Sequence, residues 1–363
     1  VYSRYVGDVF GSALAAEGIF AFFLESGFLA LVLFGWDRVS KRVHYFATIM
    51  VALGAHFSAV WILVANSWQQ TPAGHHIVKH GAQMRAEILD FWELIFNPST
   101  VDRLWHTISA AWASGAFLVL SVSAFYLLRN KHRDFAKASM KIGLLVALIA
   151  TFSQLASGHS SAGGVARNQP VKLAAFEGHY PASAPGDMYL LGWVDEEKEE
   201  VTGIKLDGML SWLVHFDRDK PLAGLRSVPP EDRPPINLVF QTYHLMVVIG
   251  MGLIGLTLLG LLLWWRDSLW DSKWVLRLFA LAVLAPQVGN QIGWISAEVG
   301  RQPWIVYGLL RTSDAVSPRV SAGEILASVI LFSLVYLLLL ALSLIHISEP
   351  TRLDARSRMP SSA

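Results

Sequence analysis

The sequence predicts an all-α, polytopic transmembrane helix bundle with seven spans. Composition, span length and the placement of basic residues carry that expectation. Of 363 residues, 53% are hydrophobic and 16% charged, and the mean hydropathy is +0.43; a soluble domain is about one quarter charged. Seven stretches supply the roughly 20 mostly apolar residues that a bilayer crossing needs. They lie at 10–36, 45–67, 104–128, 138–158, 237–265, 273–297 and 322–341. Basic residues collect after the first span (Arg38, Lys41, Arg42), after the third (Arg129, Lys131, Arg133, Lys137, Lys141) and after the fifth (Arg266, Lys273). By the positive-inside rule those connections are cytoplasmic, and Val1 and the other connections lie outside.

Four parts follow in order. Residues 1–158 hold four spans, with an external connection at 68–103 whose amphipathic run Met84–Phe96 is expected to lie as an interfacial helix. Residues 159–236 form a long, polar, Pro-bearing external loop, and its run Asp195-Glu196-Glu197 is expected to be a solvated surface. Residues 237–341 hold the last three spans. Residues 342–363 are expected to be a non-native tail, because Leu342–Arg352 reads codon for codon as the end of a transposase sequencing adapter. The chain opens at Val1 with neither an initiator Met nor a signal segment, and so reads as beginning inside a longer protein.

Composition also excludes function classes. A net charge of +1 without a basic stripe gives no case for nucleic acid. The absence of cysteine rules out disulfides, thiolate metal sites, iron–sulfur clusters and covalent heme attachment. A redox cofactor here must be held by His, Met or carboxylates. Many of the 14 Trp residues suit an interfacial aromatic belt.

Ionisable groups inside spans are rare and face protein or water. The first span carries Glu17 and Glu25 in AAEGIFAFFLES. Eight residues on an α-helix give about 12 Å of rise and an offset of about 80°, so both can border one polar path. They read either as a proton path or as carboxylates hydrogen-bonded to neighbouring helices. In GWISAEVGRQPW, Trp294, Glu298 and Arg301 are spaced i, i+4, i+7 and so share a helix face. A carboxylate ligand, a stacking ring and a cation for propionates would suit a heme; an internal Glu–Arg ion pair would give the same pattern. Three histidines lie within or beside spans, His56, His106 and His244. A lone His in an apolar helix is more often a satisfied core residue than a ligand. The spacing excludes a bis-His cytochrome b, which needs pairs about 14 residues apart on two helices, and the His cluster of a heme–copper oxidase. A heme with mixed ligands remains, for which His106 on one span and a thioether such as Met246 on another would serve.

At these residues the chain resembles subunit I of the cytochrome bd quinol oxidases, almost continuously from Val1 to about Ala341. The marks are YVGDVFGSALAAEG, FFLES, FGWDR, WILVANSW, NPSTVDRLWHT, QPVKLAAFEG and GWISAEVGRQPW. The resemblance implies that His106 and Met246 hold a low-spin heme b and that Glu298 ligates a high-spin heme b. It places Glu17 beside the high-spin pair and Glu25 on a proton path with Ser58 and Asn66. Lys172 and Glu177 would contact quinol, making 159–236 the quinol loop, and Trp294 and Arg301 would neighbour heme. The third heme would be d, or a further b. The implied reaction oxidises quinol at the external face and reduces oxygen to water with cytoplasmic protons, building a proton gradient without pumping. The implied setting is the bacterial cytoplasmic (inner) membrane, with the quinol loop facing the periplasm, a second subunit (subunit II) as partner, small single-span subunits in some members, and lipid around.

The chain also departs from the family. It has no counterpart of two preceding spans and their axial His, its quinol loop is short, and position 244 is His where the best-known members have Arg. Positions two apart on a helix point about 200° from each other, so only one of His244 and Met246 can face His106; the resemblance favours Met246. Two other classes would use the same residues differently: a non-redox proton-conducting or transporter subunit, and a heme scaffold without turnover.

Overall fold

A computed structural model describes residues 1–81 and 83–348. Among the described residues, seven helices are long and apolar enough to cross a membrane, in the order and positions expected. In the unit Tyr2–Ala315 they are α1 (Gly7–Phe34), α2 (Lys41–Gln70), α3 (Thr100–Leu128), α4 (Arg133–Asn168), α6 (Ile236–Trp265) and a sixth span, Lys273–Val299. A short helix α5 (Pro170–Glu177) precedes α6.

Local sequence explains the boundaries. Helix α2 starts at Ser40, whose Oγ accepts from the Val43 amide at 3.4 Å. Helix α4 runs to Asn168, ten residues beyond the predicted end of its span at 158. It stops there because Gln169 precedes Pro170 and is pushed out of the α region, to φ −141° and ψ 62°. Pro170 then opens α5, whose end is turned by Gly178 at φ +63°. The sixth span is two helices, α7 (Lys273–Leu281) and α8 (Leu284–Val299). The break falls at Ala282 because Pro286, four residues on, has no N–H to offer its carbonyl.

Helices α3, α4, α6 and α7 share one core, built on Phe117, Leu120, Met140, Leu144 and Phe279. Small residues let them close up: a Cβ on Gly260 would lie 2.7 Å from the Phe279 ring.

Two stretches differ from expectation. The run Met84–Phe96 is not an interfacial helix. It forms the strand β2 (Gln83–Ile88), paired antiparallel with β1 (His75–His80), and then a five-residue helix Phe91–Ile95. Alternation won over helical spacing: Ala86 is buried and the Ile88 amide donates to Asp8 at 3.0 Å. Asp90 then caps the short helix, accepting from Trp92 and Glu93 amides at 2.8 and 3.0 Å. The segment 159–236 is a folded cap rather than a loop. Beyond α5 it holds the hairpin β3 (Met188–Asp195) and β4 (Glu200–Leu206). Its own core joins Phe176, Leu210, Leu222 and Leu225 to Val239 and Phe240 at the start of α6.

The unit beginning at Val316 is the helix α9 (Ala322–Ser348). Ser321 and Glu324 cap it reciprocally: the Glu324 amide donates to Ser321 Oγ at 3.3 Å, and the Ser321 amide donates to Glu324 Oε2 at 2.8 Å. The helix continues past 341, and the remainder of the segment expected to be non-native, 349–363, lies outside the described residues.

Candidate functional site

Helix α2 presents a polar seam. Gly54, Ser58, Asn66 and Gln70 face, in that order, Glu25, Glu17, Glu298 and Lys172. At Gly54 a Cβ would lie 2.9 Å from Glu25 Cβ and 3.0 Å from its amide, so α1 and α2 touch backbone to backbone there. One turn on, Ser58 Oγ donates to Glu17 Oε1 at 2.6 Å.

Further along, Asn66 Nδ2 and Gln70 Nε2 both donate to Glu298 Oε1 at 3.2 Å. Arg301 Nη2 donates to Glu298 Oε2 at 2.6 Å. Arg103 from α3 donates to Asn66 Oδ1, stands 3.9 Å from Glu298 Oε1, and lies 5.6 Å over the Trp294 ring. Arg301 does not share a helical face with Trp294 and Glu298 as the spacing predicted. Helix α8 ends at Val299, and Arg301 reaches Glu298 from the turn that follows. Its Nη1 is buried and has no hydrogen-bond partner among the described residues. Burial lowers the Arg301 pKa from its ordinary value, with Glu298 opposing.

Lys172 joins this cluster from the cap. Its Nζ donates to Gln70 Oε1 at 2.9 Å and to the Ala297 carbonyl at 2.7 Å. Burial, reinforced by Arg103, holds its pKa well below the usual lysine range. Glu177, at the far end of α5, is buried with Oε2 unpartnered, and burial pushes its pKa up to about 8. A cavity of about 200 Å³ is lined by Lys172, Asp232, Arg301, Trp304 and Tyr307, among others.

The histidines sort by partner. His106 Nδ1 lies 2.9 Å from Ser157 Oγ, and a Cβ on Gly158 would pack 3.5 Å from its ring. Met246 Sδ sits where a Cβ on Gly293 would come within 2.8 Å, so glycine leaves the thioether its place. His244 has both ring nitrogens against carbonyl oxygens, Nδ1 at 2.8 Å from Phe240 and Nε2 at 2.7 Å from Tyr189. The Tyr189 carbonyl is available because the β3–β4 register shifts between Tyr189 and Leu191. Glu177 Oε2 stands 4.0 Å from His244 Nε2. His56 is satisfied within the bundle, by the Ala52 carbonyl at 2.7 Å and Trp112 Nε1 at 2.8 Å.

Thus Glu17 meets Ser58, and Glu298 meets Asn66, Arg301 and the Lys172 network. Asn66 belongs with Glu298 rather than with Glu25. Sequence reading missed Arg103, Gln70 and Gln169, whose Nε2 donates to the Gln70 carbonyl at 2.9 Å. Arg103 carried a weaker signal, being a cation three residues before His106 at the edge of a span; the glutamines carried none.

The sequence model of the family described as cytochrome bd terminal oxidase subunit I matches residues 1–354. The chain is 40% identical to cytochrome bd ubiquinol oxidase subunit 1 of Bacillus subtilis, over 94% of this chain and 74% of that protein. It is 31% identical to cytochrome bd-II ubiquinol oxidase subunit 1 of Escherichia coli, over 93% and 78%. The solved bd oxidase of Geobacillus thermodenitrificans superposes with a TM-score of 0.84 at 28% identity, over 97% of this chain and 80% of that one. The chain therefore belongs to the cytochrome bd terminal oxidase subunit I family and is a heme-dependent quinol oxidase subunit of a bacterial respiratory membrane, built to work with a subunit II.

Proposed function

We propose that the α2 seam is the working axis of a quinol:oxygen oxidoreductase, with quinol handled at the Lys172–Glu177 end and protons for oxygen reduction delivered along Glu25 and Glu17. The observation that carries this reading is the order of partners on one helix: Glu25 at Gly54, Glu17 at Ser58, Glu298 at Asn66 and Gln70, and Lys172 at Gln70. Such a row suits a path between two faces of a bilayer. The basic residues Arg38, Lys41 and Arg42 at the opposite end of α2 support a periplasmic quinol cap and cytoplasmic proton entry.

The donor set fits hemes. Ser157 fixes the His106 ring through Nδ1 and leaves Nε2 as the ligating nitrogen. Met246 offers a thioether, whereas both ring nitrogens of His244 are taken up by carbonyls; that supports Met246 as the partner of His106 for a low-spin heme b. Glu298 is held by Asn66, Gln70 and Arg301 yet keeps 33% of its side chain exposed, and a carboxylate has about four lone-pair sites. It would serve a high-spin heme b, with Trp294 as a neighbour and Arg301 Nη1 as a donor that a propionate would satisfy. A heme d, or a third b, would complete the set. Bound hemes would supply the one-electron chemistry between quinol and oxygen.

The protein's own residues do the rest. Lys172 donates to the quinol oxygens from a position fixed by Gln70 and the Ala297 carbonyl. Ionised Glu177 takes a quinol proton. Ser58 orients the Glu17 carboxylate through its 2.6 Å hydrogen bond. Subunit II, small single-span subunits and lipid would cover the bare helix faces.

Reduced-minus-oxidised spectra of the assembled enzyme test this reading. Met246→Leu should convert the low-spin signal to high-spin, and His244→Leu should keep it low-spin. The reverse would mean a bis-His site, and no heme band at all would leave a non-redox proton conductor.

A further inference from the structure

Helix α1 is not α-helical throughout. Between Gly7–Glu17 and Phe23–Phe34 lies one π-helical turn, Gly18–Phe22, set between the two glutamates. On an unbroken α-helix at 100° per residue, Glu17 and Glu25 would be offset by about 80°. A π turn carries about 4.4 residues, or about 82° per residue, so five such residues remove about 90° of rotation. The offset falls to about 10°, and both carboxylates come onto one line.

Burial agrees with that rotation. Val9, Ala13 and Ala21 are buried at 0%, 2% and 0% exposure, whereas Ile19, Phe20, Phe22 and Phe23 are all more than 60% exposed. Across the π turn, Glu17, Ala21 and Glu25 follow one seam in steps of four, a spacing that an α-helix would carry off the face at about 40° per step. Opposite that seam, Ser58 takes Glu17 and Gly54 takes Glu25. Gly54 is buried, and any side chain there would collide with the Glu25 backbone.

We infer that the π turn and Gly54 form a positioning device that aligns the Glu17 and Glu25 carboxyls along α2, and that Gly54 is a positioning residue for proton delivery. The inference rests on the proton-path reading above. A proton passed from the Glu25 carboxyl to the Glu17 carboxylate leaves one carboxylate and makes one carboxyl, with no electron moved. The transfer needs both groups on the same line. Gly54→Ala pushes α1 off α2 at Glu25 and leaves the donors around Glu298 in place.

The test is made in the full-length assembled oxidase. Gly54→Ala should lower the kcat of quinol-driven oxygen uptake about tenfold and raise its solvent deuterium isotope effect, with the quinol KM and the heme spectrum unchanged. Deletion of Phe20, an exposed residue, closes the π turn to an α repeat and leaves Glu17 and Glu25 seven residues apart, about 20° from one line. It should keep turnover near wild type, and slow turnover with intact heme would overturn alignment as the role of the turn. Gly27→Ala, which meets open space, should behave as wild type. Slow turnover in Glu25→Gln with wild-type turnover in Gly54→Ala would overturn the positioning role and leave the proton path standing. Wild-type turnover in Glu25→Gln would overturn both. Loss of heme or assembly in both Gly54→Ala and the Phe20 deletion would assign the seam to packing and overturn the proposal.

Discussion

The two ends of the α2 seam solve the problem of an intramembrane carboxylate differently. Glu298 is gripped by Asn66, Gln70 and Arg301, with Arg103 at 3.9 Å. Glu17 has the Ser58 hydroxyl as its described hydrogen-bond donor, and it sits on a helix with few buried residues. A charge held by several partners is fixed in place, and removing one partner strands the others. A carboxylate with one neutral partner can be altered without stranding other groups. On the proposed reading, the crowded end holds groups still and the sparse end lets protons pass. Mutations should therefore damage assembly at one end and turnover at the other.

The largest effect is expected at Arg103. Arg103→Leu removes the donor to Asn66 Oδ1, one of the two cations at Glu298 and the partner of the Trp294 ring, at a cost of about 1–3 kcal/mol for a charge-assisted hydrogen bond. The yield of heme-loaded oxidase should fall several-fold and its Tm by several degrees. Glu17→Gln keeps an acceptor for Ser58, so its Tm should match wild type while oxygen uptake drops. Equal losses of Tm in the two variants would break the comparison.

Glu177 sharpens it through pH. Burial raises its pKa from the ordinary 4.5 to about 8. The folded chain then keeps a proton that the unfolded chain gives up, so the contribution to stability is full below about pH 4.5 and is lost as pH rises to about 8. In Glu177→Gln, Tm should lack that decline. Turnover should move the opposite way: wild-type activity rises through about pH 8 as the carboxylate forms, and the variant should be slow and flat. A variant with the wild-type pH limb would remove Glu177 from quinol deprotonation.

How much of this was legible in the sequence follows from physics. The spans were, because a bilayer imposes a length and an apolar composition that few other structures share. Glu17, Glu25 and Glu298 were, because charge is rare inside spans. The π turn was not: GIFAF has no residue that demands it, and it shows only in which neighbours end up buried. Nor was the cap's fold. The stretch between Gln169 and Pro235 packs through scattered Leu, Val and aromatic residues against the start of α6, and no periodic run betrays that. The hairpin at 75–88 was misread because MRAEI suits either period, and the Asp8 carboxylate that pins it lies on another helix. The resemblance leads one to expect Lys172 on the quinol side; its grip on Gln70 and Ala297, next to Glu298, joins two regions that the sequence kept apart.

The smallest effect is expected at Ser58. Its hydroxyl donates at 2.6 Å to Glu17, and Ser58→Ala removes that bond without opening a large cavity. A neutral donor of this kind contributes about 1 kcal/mol, so turnover should fall a few-fold, less than in Glu17→Gln. The loss should lie in kcat rather than in the quinol KM, because Lys172 and Glu177 sit at the other end of the seam. Tm and heme spectrum should not move, since the carboxylate can turn to water once its serine is gone. If Ser58→Ala instead lowers Tm as far as Arg103→Leu does, Glu17 is as tightly held as Glu298. The division of the seam into a fixed end and a permissive end would then be wrong.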